Sequence, residues 1–589
     1  MHKYKKIAAF VTKNFPSYLH DLYESLPFLG IIGSFIILIV TSTCAQINPL
    51  EGGPMDSIPP QLVSTNPMHE STGFKGNKIE MTFDKEIEIQ DLYNKLVITP
   101  RLPRLENGPS YVSKVRGNKL ILSLKTSLEE NTTYTFSFND AVRDTKERTA
   151  AQNPTLTFST GDYVDSLYIA GQVKYLMTDQ PVKDGLVAIY RIADTDTVHI
   201  LNTSPDYFTK TNENGEFRIE HIKQDTYRIC TGHSKENKLI LDAGKEPYGF
   251  LETPLELFES VDSTNLYIVE ANVTDFKLQS SRPQAQYFEI TFSKPVTTYT
   301  LTLISQSKKF KGAHLYTHLI DNDLVVRVYN TLGLLPDDRL KAQLMAQDAM
   351  GNVIEKEMDI YFGDKSSKKE AFKYQIKPAA GTKLDPKLVK IDISFTKPIK
   401  SLELDSLFFV VGQADTVKLT SEEVIIHPHR DAVTIQKKLE LANSNLIQDD
   451  TTSMEKAPNI LLHIAKGAFT SVEKELNEPT DYKYMIKYPQ ECGIIKGRIL
   501  TRVPGVMIQL LDEQDEVVQE QEIRNQVDYE FKDVLPGNYR LRVLALSEKD
   551  GKWHFGNINK SEPPNRVVFY PYELPLVANW ELDYIDIQV

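Results

Sequence analysis

The amino-acid sequence predicts an all-β chain of tandem antiparallel sandwiches. Three observations carry that expectation: many short segments in which apolar and polar residues alternate, a nine-residue phrase that occurs three times, and a longer phrase that occurs twice, once between the first two copies and once after the last. Alternation with a period of two puts every apolar side chain on one face of a strand, as in a half-buried antiparallel sheet. No useful stretch shows the 3.6-residue period of a helix.

The nine-residue phrase reads IEMTFDKEI at 79–87, FEITFSKPV at 288–296 and IDISFTKPI at 391–399. Its first five positions alternate, and the proline in the later two copies stops pairing because it has no N–H to donate. A second alternating run follows each copy: Leu120, Leu122 and Leu124; then Leu324, Val326 and Val328; then Val433 and Ile435. A third mark closes each unit. Tyr134, Phe136 and Phe138, followed by Asp140 and Asp144, parallel Ala342, Leu344 and Ala346, followed by Asp348; the last unit has IAKGAF at 464–469. Marks in one order, three times over, indicate sandwiches of about 100 residues. The longer phrase is FRIEHIKQDTY at 217–227 and YEFKDVLPGNY at 529–539. Each copy follows a glycine-bearing opening strand, IAGQV at 169–173 and IKGRI at 495–499. The expected division is a linker at 45–59 and sandwiches at 60–163, 164–275, 276–366, 367–488 and 489–589.

Bulk properties agree. A chain of 589 residues is too long for one core. Its 41% hydrophobic and 25% charged content is that of an ordinary globular protein. The net charge of −13 offers no basic face for nucleic acid. An oxidised secreted scaffold carries a dense, even set of cysteines; here there are only Cys44, Cys230 and Cys492. Cys230 and Cys492 are expected as buried thiols, not as a disulfide.

The apolar run LGIIGSFIILIV at 29–40 follows Lys3, Lys5, Lys6 and Lys13 and precedes Thr41, Ser42, Thr43 and Cys44. A dozen apolar residues fall short of the roughly 20 that span a bilayer, so residues 1–44 read as a signal peptide. The end of this segment resembles the lipobox of bacterial lipoproteins, with Thr41 and Thr43 where that family has Leu and a smaller residue. The resemblance implies that Cys44 is lipidated and becomes the first residue of the mature protein. The alternative is an uncleaved anchor, and both readings export the rest of the chain. The proline- and glycine-rich segment after Cys44 reads as a spacer.

Pro59–Pro60, the turn STNP at 64–67, TFDK at 82–85 and FSTG at 158–161 together resemble a bacterial Ig-like domain of the S-layer type over 52–165. Such domains are common in lipoproteins of the Bacteroidota. The third and fourth units are assigned as Ig-like from the internal echo. The phrases at 217–227 and 529–539 resemble the transthyretin-like fold of carboxypeptidase regulatory domains. These resemblances imply the order Ig-like, transthyretin-like, Ig-like, Ig-like, transthyretin-like.

The sequence holds no Gly-x-Ser-x-Gly elbow, His-Glu-x-x-His helix, phosphate loop or Cys-x-x-Cys pair, so no catalytic residue, metal site or cofactor is expected. His427 and His429, two apart, would share a face if on a strand; a solvated pair is the preferred reading. The transthyretin-like resemblance points to calcium loops at Asn237, Asp242 and Glu246 and at 547–556, but lost acidic positions favour solvated loops. Asp140, Asp144 and Asp348 are expected to bond nearby backbone in turns. Trp553, Tyr570, Tyr572 and Trp580 are expected mainly in a core, with a binding platform as the alternative. No ligand-binding residue is assigned.

The implied function is a non-enzymatic, lipid-anchored outer-membrane protein: a rod of sandwiches that binds or scaffolds an envelope partner, as in a membrane-protein complex. The second reading is a carbohydrate-binding or adhesive surface lipoprotein, with a glycan as ligand. The late acidic residue, Glu51, leaves open whether the surface or the periplasmic face carries it.

Overall fold

The computed structural model describes residues 57–103, 105, 108–192, 205–233, 244–304, 313–366, 369–411, 415–440, 459–487, 491–501, 503–524 and 527–589. Cys44 with its apolar run, and Asn237 and Asp242, lie outside them. Among the described residues no helix is long and apolar enough to cross a membrane, and the one α-helix has four residues, Leu92–Lys95.

The three-fold phrase forms an inner strand of a four-stranded antiparallel sheet each time. Lys78–Phe83 lies between Leu62–Asn66 and Lys119–Leu124, with Tyr111–Arg116 outermost. Tyr287–Phe292 and Val389–Phe395 hold the same place in their units. The second run of each unit is its hydrogen-bonded partner: Ile79 sits opposite Leu122, Ile290 opposite Val326, and Ile391 opposite Ile435. These cross-strand pairs face inward because a period of two keeps each apolar set on one side. The third mark supplies the facing sheet: Thr133–Ser137 is the middle strand of three, and Leu340–Asp348 pairs with strands on both sides. Ile79, Phe136, Leu156 and Phe158 are wholly buried between the two sheets of the first unit. Phe158 is its hub, edge-on to Phe74 at 4.7 Å and stacked with Phe136 at 5.8 Å.

The second and fifth units share a different plan. One sheet places Leu167–Tyr175 between an antiparallel strand, Glu216–Ile222, and a parallel one, Val261–Ile268. The fifth unit repeats this with Gly493–Leu500 between Asp528–Val534 and the parallel segments Glu581–Leu582 and Ile587–Gln588. The recurring glycine is explained by this arrangement. A Cβ on Gly171 would overlap the Thr264 carbonyl, and one on Gly497 the Ile585 carbonyl, because the parallel chain crosses directly over them. The recurring tyrosine closes its own hairpin: Tyr227 Oη donates to the Lys223 carbonyl and Tyr539 Oη to the Leu535 carbonyl, both at 2.7 Å.

The lysine of the three-fold phrase does more than end a strand. Lys294 is 3% exposed and pairs with Asp348, while its Nζ also reaches the Asn272 carbonyl at 3.1 Å. Lys397 is 1% exposed and lies 2.6 Å from both Glu473 and Glu475. Register shows the kinship: Asp144, Asp348 and Ser471 sit opposite Ile87, Val296 and Ile399, so the fourth unit has moved its acid from the strand to the following turn. A buried ammonium is tolerated only when carboxylates and carbonyls take its protons.

The units do not form a simple rod. The fifth folds back onto the second, over 360 residues earlier: Arg540 donates to the Thr178 carbonyl at 2.9 Å, and Arg542 to that of Met177. Ile558, 7% exposed, joins Leu176, Tyr248, Val269 and Val273 in one apolar cluster, with Trp553, Val567 and Met350 of the third unit packed against it. The linear expectation fails because the contact joins residues far apart in sequence.

Two measurements check these elements. Gly171→Ala or Gly497→Ala is expected to destabilise its own unit by about 1–3 kcal/mol or more through overpacking, read as a lowered unfolding transition. Lys397→Met, which removes the cation that Glu473 and Glu475 share, is expected to cost about 3–5 kcal/mol in the fourth unit, read by denaturant unfolding.

Candidate functional site

A cleft of about 1580 Å³ lies between the first and second units. One wall is the outer side of the sheet formed by Val97–Thr99, Thr133–Ser137 and Thr155–Ser159, and the other is built on Tyr207–Lys210 and Glu216–Ile222. Strand alternation explains its chemistry: the inward positions of Thr133–Ser137 go to Tyr134 and Phe136, so Thr135 and Ser137 turn outward. Thr135 and Thr157 hydroxyls meet at 3.1 Å across neighbouring strands, and Thr157 N–H donates to His69 Nδ1 at 3.1 Å. Two contacts join the walls, Arg101 N–H to the Asp206 carbonyl at 3.0 Å and Asp165 N–H to Thr133 Oγ1 at 2.8 Å, and within the second unit the His221 ring bonds the Asp165 carbonyl at 2.9 Å.

Charges in the cleft are matched. Lys95 Nζ lies 2.7 Å from Asp140, which also accepts from Arg143 at 2.9 Å. The Lys95 bond, with that of Arg143, holds the Asp140 carboxyl below the usual range against the opposing effect of burial. Arg218 covers the Tyr168 ring at 3.6 Å and pairs with Glu220 at 2.7 Å. Tyr93, on the short helix at the rim, is 69% exposed.

The residues singled out from sequence meet different fates. Asp144 accepts from the Lys146, Glu147 and Thr149 N–H groups and Asp348 from those of Met350 and Asn352, the expected turn role. Burial would raise both carboxyls, but these bonds, joined by Asn352 and Lys294 side chains at Asp348, hold them low. Asp140 bonds its own backbone N–H and in addition the Lys95 and Arg143 side chains at the cleft. His427 and His429 do not share a strand face, because they occupy the turn after Val424–Ile426. His427 Nε2 bonds Thr434 Oγ1 at 2.9 Å within its own unit, whereas His429 stacks on Tyr299 of the third unit at 4.0 Å. Glu246 is half-buried, and in 547–556 Asp550 bonds His554 at 2.9 Å. Among the described residues no group of three His, Cys, Asp or Glu side chains comes together to hold a metal. Trp553 is half-buried against the second unit with Nε1 on the Asn565 carbonyl, Tyr570 packs on its own core, and Tyr572 and Trp580 are 69% and 59% exposed. Cys230 and Cys492 are buried and in no disulfide; burial pushes the Cys230 thiol up to about 12.

The junction of the third and fourth units was not legible in the sequence. Around the Tyr299–His429 stack, Thr317 Oγ1 lies 3.3 Å from His429 Nδ1 and Tyr287 Oη donates to Glu473 at 3.1 Å. Burial lowers the pKa of His318 and His429 below the ordinary 6.5, with Asp431 opposing the shift at each and Arg327 adding to it at His318.

Two outcomes follow from these junctions. A histidine protonated more readily when unfolded contributes full stability above its unfolded pKa, and loses it as pH falls. The transition of the third and fourth units should therefore drop as pH falls from roughly 7 to 5, less steeply in His318→Gln/His429→Phe. Ile558→Asp should open the contact between fifth and second units, so that Cys230, protected in the intact protein, is alkylated by a maleimide and detected by mass spectrometry.

Residues 56–160 match the family described as "Bacterial Ig-like domain". No match was found among curated proteins. Solved structures include the major pilin subunit BcpA of Bacillus cereus, at 9% identity over 72% of this chain and 99% of that one, with TM-score 0.13. The S-layer protein SbsC matches at 10% identity over 83% and 64%, with TM-score 0.14. Alpha-2-macroglobulin of E. coli matches at 10% identity over 87% and 42%, with TM-score 0.12. Superpositions this loose bear on neither the arrangement of the units nor their function. The first of the five sandwiches, which supplies one wall of the cleft, is thus a bacterial Ig-like domain.

Proposed function

We propose that this chain is a non-enzymatic outer-membrane lipoprotein, anchored through Cys44, that binds or scaffolds a partner in the bacterial envelope. The observation that carries this reading is the return of the fifth unit onto the second. It joins the second and fifth sandwiches through Ile558, Arg540 and Arg542, with Met350 of the third packed against the same cluster. A set of domains locked together presents one composite surface without the ordering cost that a flexible string would meet on binding. The bacterial Ig-like domain at 56–160 and the lipobox-like end at 41–44 support a place outside the cytoplasm. The second and fifth units are read as transthyretin-like and the source as the Bacteroidota, both on the sequence phrases. The second reading, a carbohydrate-binding or adhesive lipoprotein, is favoured by the polar cleft between the first two units.

The experiment is affinity purification of the tagged chain from detergent-solubilised membranes, with labelling by an alkyne fatty acid. The expected result is a stoichiometric membrane-protein partner, and label lost in Cys44→Ser. A chain that is unlabelled and recovered alone would sink the reading.

A further inference from the structure

The cleft between the first two units has the composition of a ligand site. Its volume of about 1580 Å³ exceeds the roughly 300–1,000 Å³ that holds a drug-sized molecule, so it has room for an oligomer. Its sheet wall offers hydroxyls from Thr135, Ser137 and Thr155, each group both donor and acceptor, while Thr157, 1% exposed, is bonded to Thr135 behind them. A partner whose own groups donate and accept at short intervals is the natural complement. Four basic side chains, Lys95, Arg101, Lys210 and Arg218, are matched by as many acidic ones along the lining. With Lys95 on Asp140 and Arg218 on Glu220, the walls give no net field that would select an anion or a cation. At the rim, Tyr93 presents a flat apolar ring to solvent. An extended peptide would be held through backbone pairing at a strand edge. On the sheet wall, the edge of Thr155–Ser159 is already taken by residues 70–74: Glu70 N–H donates to the Thr157 carbonyl, Ser159 N–H to that of Ser71, and Phe74 N–H to that of Ser159; a peptide on the edges of the facing wall is an outcome the test below separates.

From these features we infer that the cleft binds an uncharged oligosaccharide, its hydroxyls bonded to the threonine and serine row and one sugar face stacked on Tyr93. This rests on the second reading above and deepens it, naming an uncharged oligosaccharide as the class of glycan and the side chains that would hold it.

The test uses the full-length protein in mild detergent against an array of chito-, malto- and xylo-oligosaccharides, followed by calorimetry with the best binder. Binding is expected, weakened about tenfold or more by Tyr93→Ala and abolished by Ser137→Trp, whose ring would cover the hydroxyls of the sheet wall. Trp580→Ala and Tyr572→Ala, on the fifth unit, should leave it unchanged. Melting curves verify folding; should Ser137→Trp unfold, Tyr93→Ala decides alone because its ring is exposed. Absence of binding, binding indifferent to Tyr93→Ala, loss confined to Trp580→Ala or Tyr572→Ala, or competition by an extended peptide selected from a library would each overturn the inference. If a membrane protein still co-purifies while no sugar binds, the glycan site falls and the scaffold reading stands.

Discussion

Ile558, at the start of a short 3-10 helix (Ile558–Lys560) of the last unit, is buried among Leu176, Tyr248, Val269 and Val273 of the second, while Arg540 and Arg542 satisfy carbonyls of the turn at 177–178. The arrangement of the units turns on this contact. Consecutive sandwiches meet at their own junctions, such as Tyr299 on His429 and Tyr287 on Glu473, whereas this contact joins two units that are not neighbours in the chain. With it, the chain from the second to the fifth unit is closed, and Met350 of the third unit reaches the same apolar cluster. Arg542 is 7% exposed and is also held by the Gln509 side chain at 2.9 Å, so its charge enters the contact with partners in place.

Within each sandwich a different constraint operates: two faces must be apolar and the groups between them satisfied. The phrase strand and its partner meet this by simple alternation. The lysine at the end of the phrase answers a harder problem, where the chain leaves one sheet for the other and backbone groups turn inward. Lys294 ties the linker carbonyl of Asn272 to Asp348, and Lys397 ties Glu473 and Glu475. Glu473 in turn accepts from Tyr287 of the third unit, so a buried pair within one sandwich extends into the junction with the next. Because the carboxylates also hold turn N–H groups at Asp144 and Asp348, one side chain both shapes a turn and neutralises its neighbourhood.

The cleft of the first two units shows how a sheet can be structural on one side and functional on the other. Phe136, Leu156 and Phe158 close the core beneath strands whose outward hydroxyls face the gap. Among the described residues the two units meet beside the gap through Arg101 and Asp206, Asp165 and Thr133, and the Arg191–Glu129 pair at 4.0 Å. The wall positions point away from the core and can differ without disturbing it, which is what a binding surface requires.

By itself the sequence determined the all-β class, the recurring strands and the two kinds of repeat. Period-two alternation at Ile79, Met81 and Phe83 dictates which face is buried, and a repeated phrase dictates a repeated pairing. It also marked Gly171, Gly497, Tyr227 and Tyr539, whose reasons lie within a single unit. The tertiary structure alone decided what crosses between units. His429 on Tyr299, Ile558 in the second unit and the cleft lining join positions tens to hundreds of residues apart. Such contacts leave no periodic trace, because one side chain at a junction meets the same local propensities as any turn residue. The buried Lys294 and Lys397 belong to both levels. Their recurrence was visible, but a lysine after a strand reads as solvated until the fold brings its acid from another strand or turn.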